Sequence, residues 1–128
     1  MKQHTHTLTP GLVETLKKFA LGVKEKGNKI HTRRDIVLDI SQYNNFQKLK
    51  YWGLVAKHGE PGYWVLTRRG LQFLRGEISV PKKVLTEGNR KTGESLQEVD
   101  ITNYKTDPKY WQTNFESVDV NQGALDLT

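Results

Sequence analysis

The chain has 128 residues, enough for one domain with its own core, and no cysteine, which excludes disulfides, thiolate metal sites and thiol nucleophiles. Its net charge of +6 is unevenly spread: residues 1–93 carry 18 Lys/Arg against 7 Asp/Glu, a net +11, and residues 94–128 carry 2 against 7, a net −5. Such a basic block favours a polyanionic partner, because each phosphate contact releases counterions; the absence of any apolar run near the ~20 residues of a membrane span argues against a membrane partner.

Residues 1–8 lack the apolar stretch of a secretory signal and are expected to be flexible, which together with the missing span implies a cytoplasmic protein. Thr9 is a helix N-cap, Pro10 suits the first helical position, and Leu8 and Val13 stand where a hydrophobic staple forms. Leu12, Leu16, Phe19 and Val23 recur at helical spacing, and Gly27 stops the helix. Asn28-Lys29-Ile30-His31 is a short extended piece. Thr32 with Asp35 resembles a capping box, so a short second helix is expected over 33–39, burying Ile36, Val37 and Ile40.

A third helix is expected from an N-cap at Ser41 to Gly53, with Phe46 and Leu49 buried. Leu54-Val55-Ala56-Lys57 reads as a strand and Pro61-Gly62 as the centre of a type II turn. Tyr63-Trp64-Val65-Leu66 reads as the returning strand, with Trp64 and Leu66 inward and Tyr63 and Val65 outward. Thr67 caps a fourth helix that closes near Gly76. Leu21 and Phe73 lie off their helix stripes, which suggests a homodimer through those surfaces or a C-terminal segment packed over them.

The order of helix, short strand, helix, turn, helix, hairpin, helix resembles the winged helix-turn-helix superfamily, regulators of the MarR and PadR type in particular. Two runs carry the resemblance: Leu49-Lys50-Tyr51-Trp52-Gly53-Leu54-Val55 and Tyr63-Trp64-Val65-Leu66-Thr67-Arg68-Arg69-Gly70-Leu71. The resemblance covers residues 9–77. It implies an α+β fold with a three-helix core, a two-stranded wing and a fourth helix, followed here by a β-rich extension.

Within the extension, Ile78-Ser79-Val80 and Val84-Leu85-Thr86 read as extended, residues 87–93 as a polar loop, and 96–101 as a returning strand. Asp107-Pro108 starts a short helix carrying Tyr110 and Trp111. With Tyr104 and Phe115 added, the aromatics are too many for a disordered segment, so 78–116 is expected to pack as a hairpin and short helix that offers a site for a protein partner. Residues 117–128 are expected to be a loose acidic tail.

The resemblance implies double-stranded DNA as the partner, read by the third helix in the major groove. The side chains turned away from Phe46 and Leu49 are Asn44, Gln47, Lys48 and Tyr51, flanked by Tyr43 and Asn45. Asn and Gln pair bidentately with adenine, and Lys reaches guanine acceptors. Arg33, Arg34, Lys50, Lys57, His58 and Lys29 are candidates for phosphates, with Arg68 and Arg69 behind them. The expected function is that of a transcriptional regulator, including one carried by a phage or mobile element; the alternative is a winged helix reused for protein–protein interaction. His4, His6, His31 and His58 lack metal-ligand spacing. No phosphate loop, carboxylate pair or nucleophile arrangement stands out, so neither an enzyme nor a cofactor is expected.

Overall fold

The computed structural model describes residues 3–116 and 118. Among these the chain is α+β, with four α-helices and three small antiparallel sheets. No described helix is long and apolar enough to cross a membrane.

Strand β1 (Gln3–Thr7) leads into α1 (Pro10–Lys26). The Thr9 hydroxyl accepts from the Leu12 amide at 3.2 Å, and Gly27 ends the helix at φ 98°, a conformation open to glycine. Leu12, Val13, Leu16, Phe19 and Val23 are all buried, as their spacing requires. After β2 (Ile30–His31) the expected second helix is absent: residues 32–35 make turns only. Asp35 caps one residue earlier than the sequence suggested, its carboxylate accepting from the His31 amide at 2.8 Å. The His31 carbonyl takes the Arg34 and Asp35 amides at 3.2 and 2.9 Å. Ile36 lies half-buried over Gly22, where an added Cβ would stand 2.4 Å from its methyl carbon. Val37 and Ile40, expected inside, are 87% and 80% exposed.

Asp39, not Ser41, begins the next helix. Its side chain accepts from the Gln42 amide at 2.7 Å while the Gln42 side chain accepts from the Asp39 amide at 3.0 Å, a complete capping box in Asp-x-x-Gln form. Helix α2 (Ile40–Asn45) continues into a 3-10 segment (Phe46–Trp52) that ends at Gly53, φ 74°. Then come β3 (Val55–Lys57) and β4 (Tyr63–Leu66). The Tyr63 amide donates to the Glu60 carbonyl at 3.2 Å with Gly62 at φ 90°, as a type II turn requires. Strand β2 joins the far edge of β4, so the sheet order is β2-β4-β3, with Ile30 opposite Trp64 and Val55 opposite Leu66. Asn28 extends the pairing: its carboxamide donates to the Leu66 carbonyl at 3.0 Å and accepts from the Leu66 amide at 2.7 Å. Val65, expected outward, is buried because the rest of the chain covers that face too.

Helix α3 (Arg68–Leu74) starts at Thr67, whose hydroxyl accepts from the Gly70 amide and donates to the Gly53 carbonyl at 2.6 Å. Phe73 is fully buried, its ring edge-on to Tyr104 at 6.4 Å, so it offers no surface to a second copy. Leu21 is 42% exposed.

The extension is a working part of the core. Strand β5 (Val80–Pro81) pairs with β8 (Glu98–Val99). Strands β6 (Lys83–Glu87) and β7 (Arg90–Glu94) form a hairpin through Gly88-Asn89, with glycine at the first turn position. The partner of β6 is therefore at 90–94, while of the strand expected over 96–101 only Glu98–Val99 forms, returning on Val80–Pro81. Residues 3–7, expected to be flexible, complete this sheet: β1 pairs with β6 along its whole length, giving the order β1-β6-β7. A 3-10 turn (Ile101–Tyr104) and α4 (Pro108–Asn114) follow, α4 beginning at the Asp107-Pro108 signal. Val80, Val84, Val99, Ile101, Trp111 and Phe115 join one hydrophobic cluster with Leu8, Phe19, Leu49 and Trp52. The buried Trp52 indole donates to the Pro81 carbonyl at 2.7 Å, and the Tyr104 hydroxyl donates to the Leu8 carbonyl at 2.6 Å. The tail expected at 117–128 falls outside the described residues except for Val118, which packs against the core.

Candidate nucleic-acid interface

The run from Ile40 to Trp52 winds with two periods. Phe46, Leu49 and Trp52 are its buried residues, each three apart. A 3-10 helix has 3.0 residues per turn, so positions three apart eclipse. In an α-helix the same residues would drift by about 60° at each step. Tight winding lets all three reach the core together.

The same winding sorts the outward positions into two rows. Within the 3-10 segment Gln47 and Lys50 form one and Lys48 and Tyr51 the other; at the end of α2, Asn44 shares a groove with Gln47 and Asn45 with Lys48. α geometry throughout would put Asn44, Gln47, Lys48 and Tyr51 on a single face. The structure divides them between grooves.

Asn44 and Gln47 open into a groove of about 420 Å³ between this helical run and the β3–β4 turn. Tyr43, Lys57 and residues 59–64 line it too. Asn45 and Lys48 open into a second groove, about 520 Å³, whose other wall is Thr5, His6 and Thr7 of β1. Tyr51 is not free to reach a ligand with its ring face. It is partly buried and stacks on His6, ring centroids 5.2 Å apart and planes 23° from parallel.

His6 links the two layers. Its Nε2 lies 2.9 Å from the hydroxyl of the buried Thr86, with Tyr51 against its ring. Burial lowers its pKa below the ordinary 6.5, and the charges of Lys48 and His4 lower it further.

Among the described residues one cation, Lys57, and one carboxylate, Glu60, line the first groove, and several cations on and near its walls are steadied by aromatic rings. The Arg33 guanidinium lies 4.6 Å from the Tyr43 ring centroid, and its Nε donates to the Tyr43 hydroxyl at 2.7 Å. Arg33 is thus pinned to α2 instead of starting a helix of its own. Lys29 sits over Tyr63 at 4.9 Å, Lys57 over Trp64 at 5.9 Å and Lys50 over Tyr51 at 5.6 Å. Such contacts hold an ammonium at the surface for roughly 0.5–1 kcal/mol without removing its charge. Arg34 is exposed, with no side-chain partner among the described residues. His58 is half-buried, and its backbone amide donates to the Tyr63 carbonyl at 3.1 Å, closing the hairpin.

A third groove was not legible in the sequence. It holds about 950 Å³ and lies between β3 and the β6–β7 hairpin. Lys50, Lys57, Arg69, Arg90 and Lys91 line it, with Glu94 as the one carboxylate among the described residues. Arg69 is fixed at its floor, Nε donating to the Trp52 carbonyl at 2.8 Å. Arg90 and Lys91, expected in a polar loop, instead begin β7. Their signal was a basic pair directly after Gly88-Asn89, a turn-forming dipeptide between two extended runs.

No family model matches the chain, and no curated protein or solved structure matches it either.

Proposed function

We propose that this chain is a winged helix-turn-helix protein that binds double-stranded DNA, and that it acts as a transcriptional regulator. The observation that carries the reading is the first groove. Asn44 and Gln47, two amides suited to adenine, share that groove on a helical run beside a hairpin that carries Lys57. Arg33, Arg34 and Lys29 lie toward the other side of that run in sequence, and Lys50 follows Gln47 in its row. The element order and the β2-β4-β3 sheet, with β3–β4 as the wing, support the same fold.

In this reading Asn44 and Gln47 contact bases, with Lys48, Asn45 and Tyr43 at the margins of the readout. Arg33, Arg34, Lys29, Lys50 and Lys57 contact phosphates. Tyr51 supports the helix through His6 and contributes little directly.

Fluorescence anisotropy with duplexes of varied sequence, repeated across salt concentrations, tests this. Wild-type protein is expected to show log affinity falling linearly with log salt. Asn44→Ala with Gln47→Ala should erase sequence preference, on the order of 1–3 kcal/mol per bidentate contact, and leave the slope unchanged. Arg34→Ala should flatten the slope by about 0.9 for the phosphate it contacts. Failure to bind any duplex at low salt overturns the reading.

One observation favours a protein-interaction module instead. Val37 and Ile40 are apolar and largely exposed at the entrance to α2. Replacing both with Asp distinguishes the two: loss of self-association or partner capture with DNA binding intact assigns that patch to protein contact.

A further inference from the structure

The first groove and the basic cleft share Lys57, so the two surfaces are continuous. The cleft runs between two unpaired sheet edges, β3 of the order β2-β4-β3 and β7 of the order β1-β6-β7. Lys57 and Lys50 stand on one side, Arg90 and Lys91 on the other, and Arg69 on the floor. Among the described residues Glu94 is the single opposing charge in the lining, and it pairs with Lys91. The Arg90 side chain is exposed and has no partner among the described residues. Five cations with one carboxylate are costly to crowd together unless a polyanion neutralises them.

We propose that the β6–β7 hairpin is a second DNA-contacting arm: the sugar–phosphate backbone leaves the helix groove at Lys57 and runs through the cleft, where Arg90 and Lys91 grip it. This rests on the DNA-binding reading above and adds a contact that the winged unit by itself does not contain. The hairpin can bear load because it is held on both sides. β1 pairs with β6 over five residues, and the Trp52 indole fixes the start of the extension at Pro81. The arm reads no base. Arg90 and Lys91 lie away from the Asn44–Gln47 pair and meet only backbone, so they raise affinity uniformly across sequences.

The test is anisotropy with a duplex long enough to span both grooves, about 20 base pairs, comparing full-length wild type with Arg90→Gln/Lys91→Gln. Both side chains are exposed, and circular dichroism melting verifies that the variant folds. Loss of two phosphate contacts should lower the salt slope by roughly 1.8 and weaken binding on the order of tenfold near 0.1 M salt, with the preference among sequences unchanged. A variant that binds with wild-type slope and affinity overturns the arm while leaving DNA binding by the helix standing. A wild-type protein that binds no duplex at low salt overturns both. Loss of poly-glutamate binding in the variant without any change toward DNA overturns the proposal in favour of an acidic protein partner.

Discussion

At the scale of single residues, His6 carries the most information for its size. It connects β1 to the 3-10 segment through Tyr51 and to β6 through Thr86. Its neutral form is favoured in the folded chain, since burial, Lys48 and His4 all depress its pKa. The unfolded chain therefore takes up the proton first as pH falls below about 6.5, and the stability His6 contributes is present above that value and lost as pH falls through its folded pKa. Thermal melts between roughly pH 7.5 and 5.5 should show this loss, and His6→Gln, which keeps a partner for Thr86, should flatten it. Parallel curves for the two proteins would remove His6 from the account. Nothing about an isolated His4-Thr5-His6 near a chain end announces this role. The signal lies in Tyr51 and Thr86, which are 45 and 80 residues away.

At the scale of elements, periodicity was a good guide where one period held throughout. Helix α1 is such a case, with its Thr9 cap, apolar stripe and Gly27 stop all in place. The run 40–52 was harder because the Phe46, Leu49, Trp52 spacing fits a 3-10 helix as well as the edge of an α stripe, and only burial of all three decides between them. Its N-terminus was misplaced because Asp39-x-x-Gln42 closes a capping box ahead of Ser41. The segment 33–39 failed as a helix because Asp39 claims the chain for the next one after a single turn. Helix α3 depends on a close approach: a Cβ on Gly70 would stand 2.2 Å from the Leu54 carbonyl oxygen. Helix propensity alone would make Gly70→Ala stabilising by about 1 kcal/mol. The clash is with backbone that cannot turn aside, so urea denaturation should instead show a loss of roughly 3 kcal/mol. A gain in stability would mean that α3 can shift away from β3.

At the scale of the whole molecule, the extension completes the fold. Trp52, Leu8 and Phe73 each meet residues beyond 77, through Pro81 or Tyr104. Removing residues 78–128 would bare these side chains and unpair β1. A chain ending at 77 is therefore expected to show no cooperative thermal transition, whereas the full chain melts in one step. An independent, cooperative melt of the 1–77 fragment would show that the extension is an accessory after all. The same packing decides where charge is presented. Arg90 and Lys91 reach the surface beside Lys50 and Lys57 because β1-β6-β7 docks against the helix that carries Lys50.

By itself, the amino-acid sequence determined the features whose physics is local. These are the caps at Thr9 and Thr67, the Gly27 and Gly53 stops, the Pro61-Gly62 turn, the buried stripes of α1 and the basic N-terminal three-quarters. Each depends on residues within a turn or two of one another. Tertiary structure alone decided what depends on contacts across the chain. Those are the pairing of residues 3–7 with 83–87, the second buried face of β4, the burial of Phe73, the division of the helix face into two rows, and the basic cleft. Hydrophobic burial has no direction of its own, so which apolar residues meet, and which charges are left facing outward together, is settled only when the whole core closes.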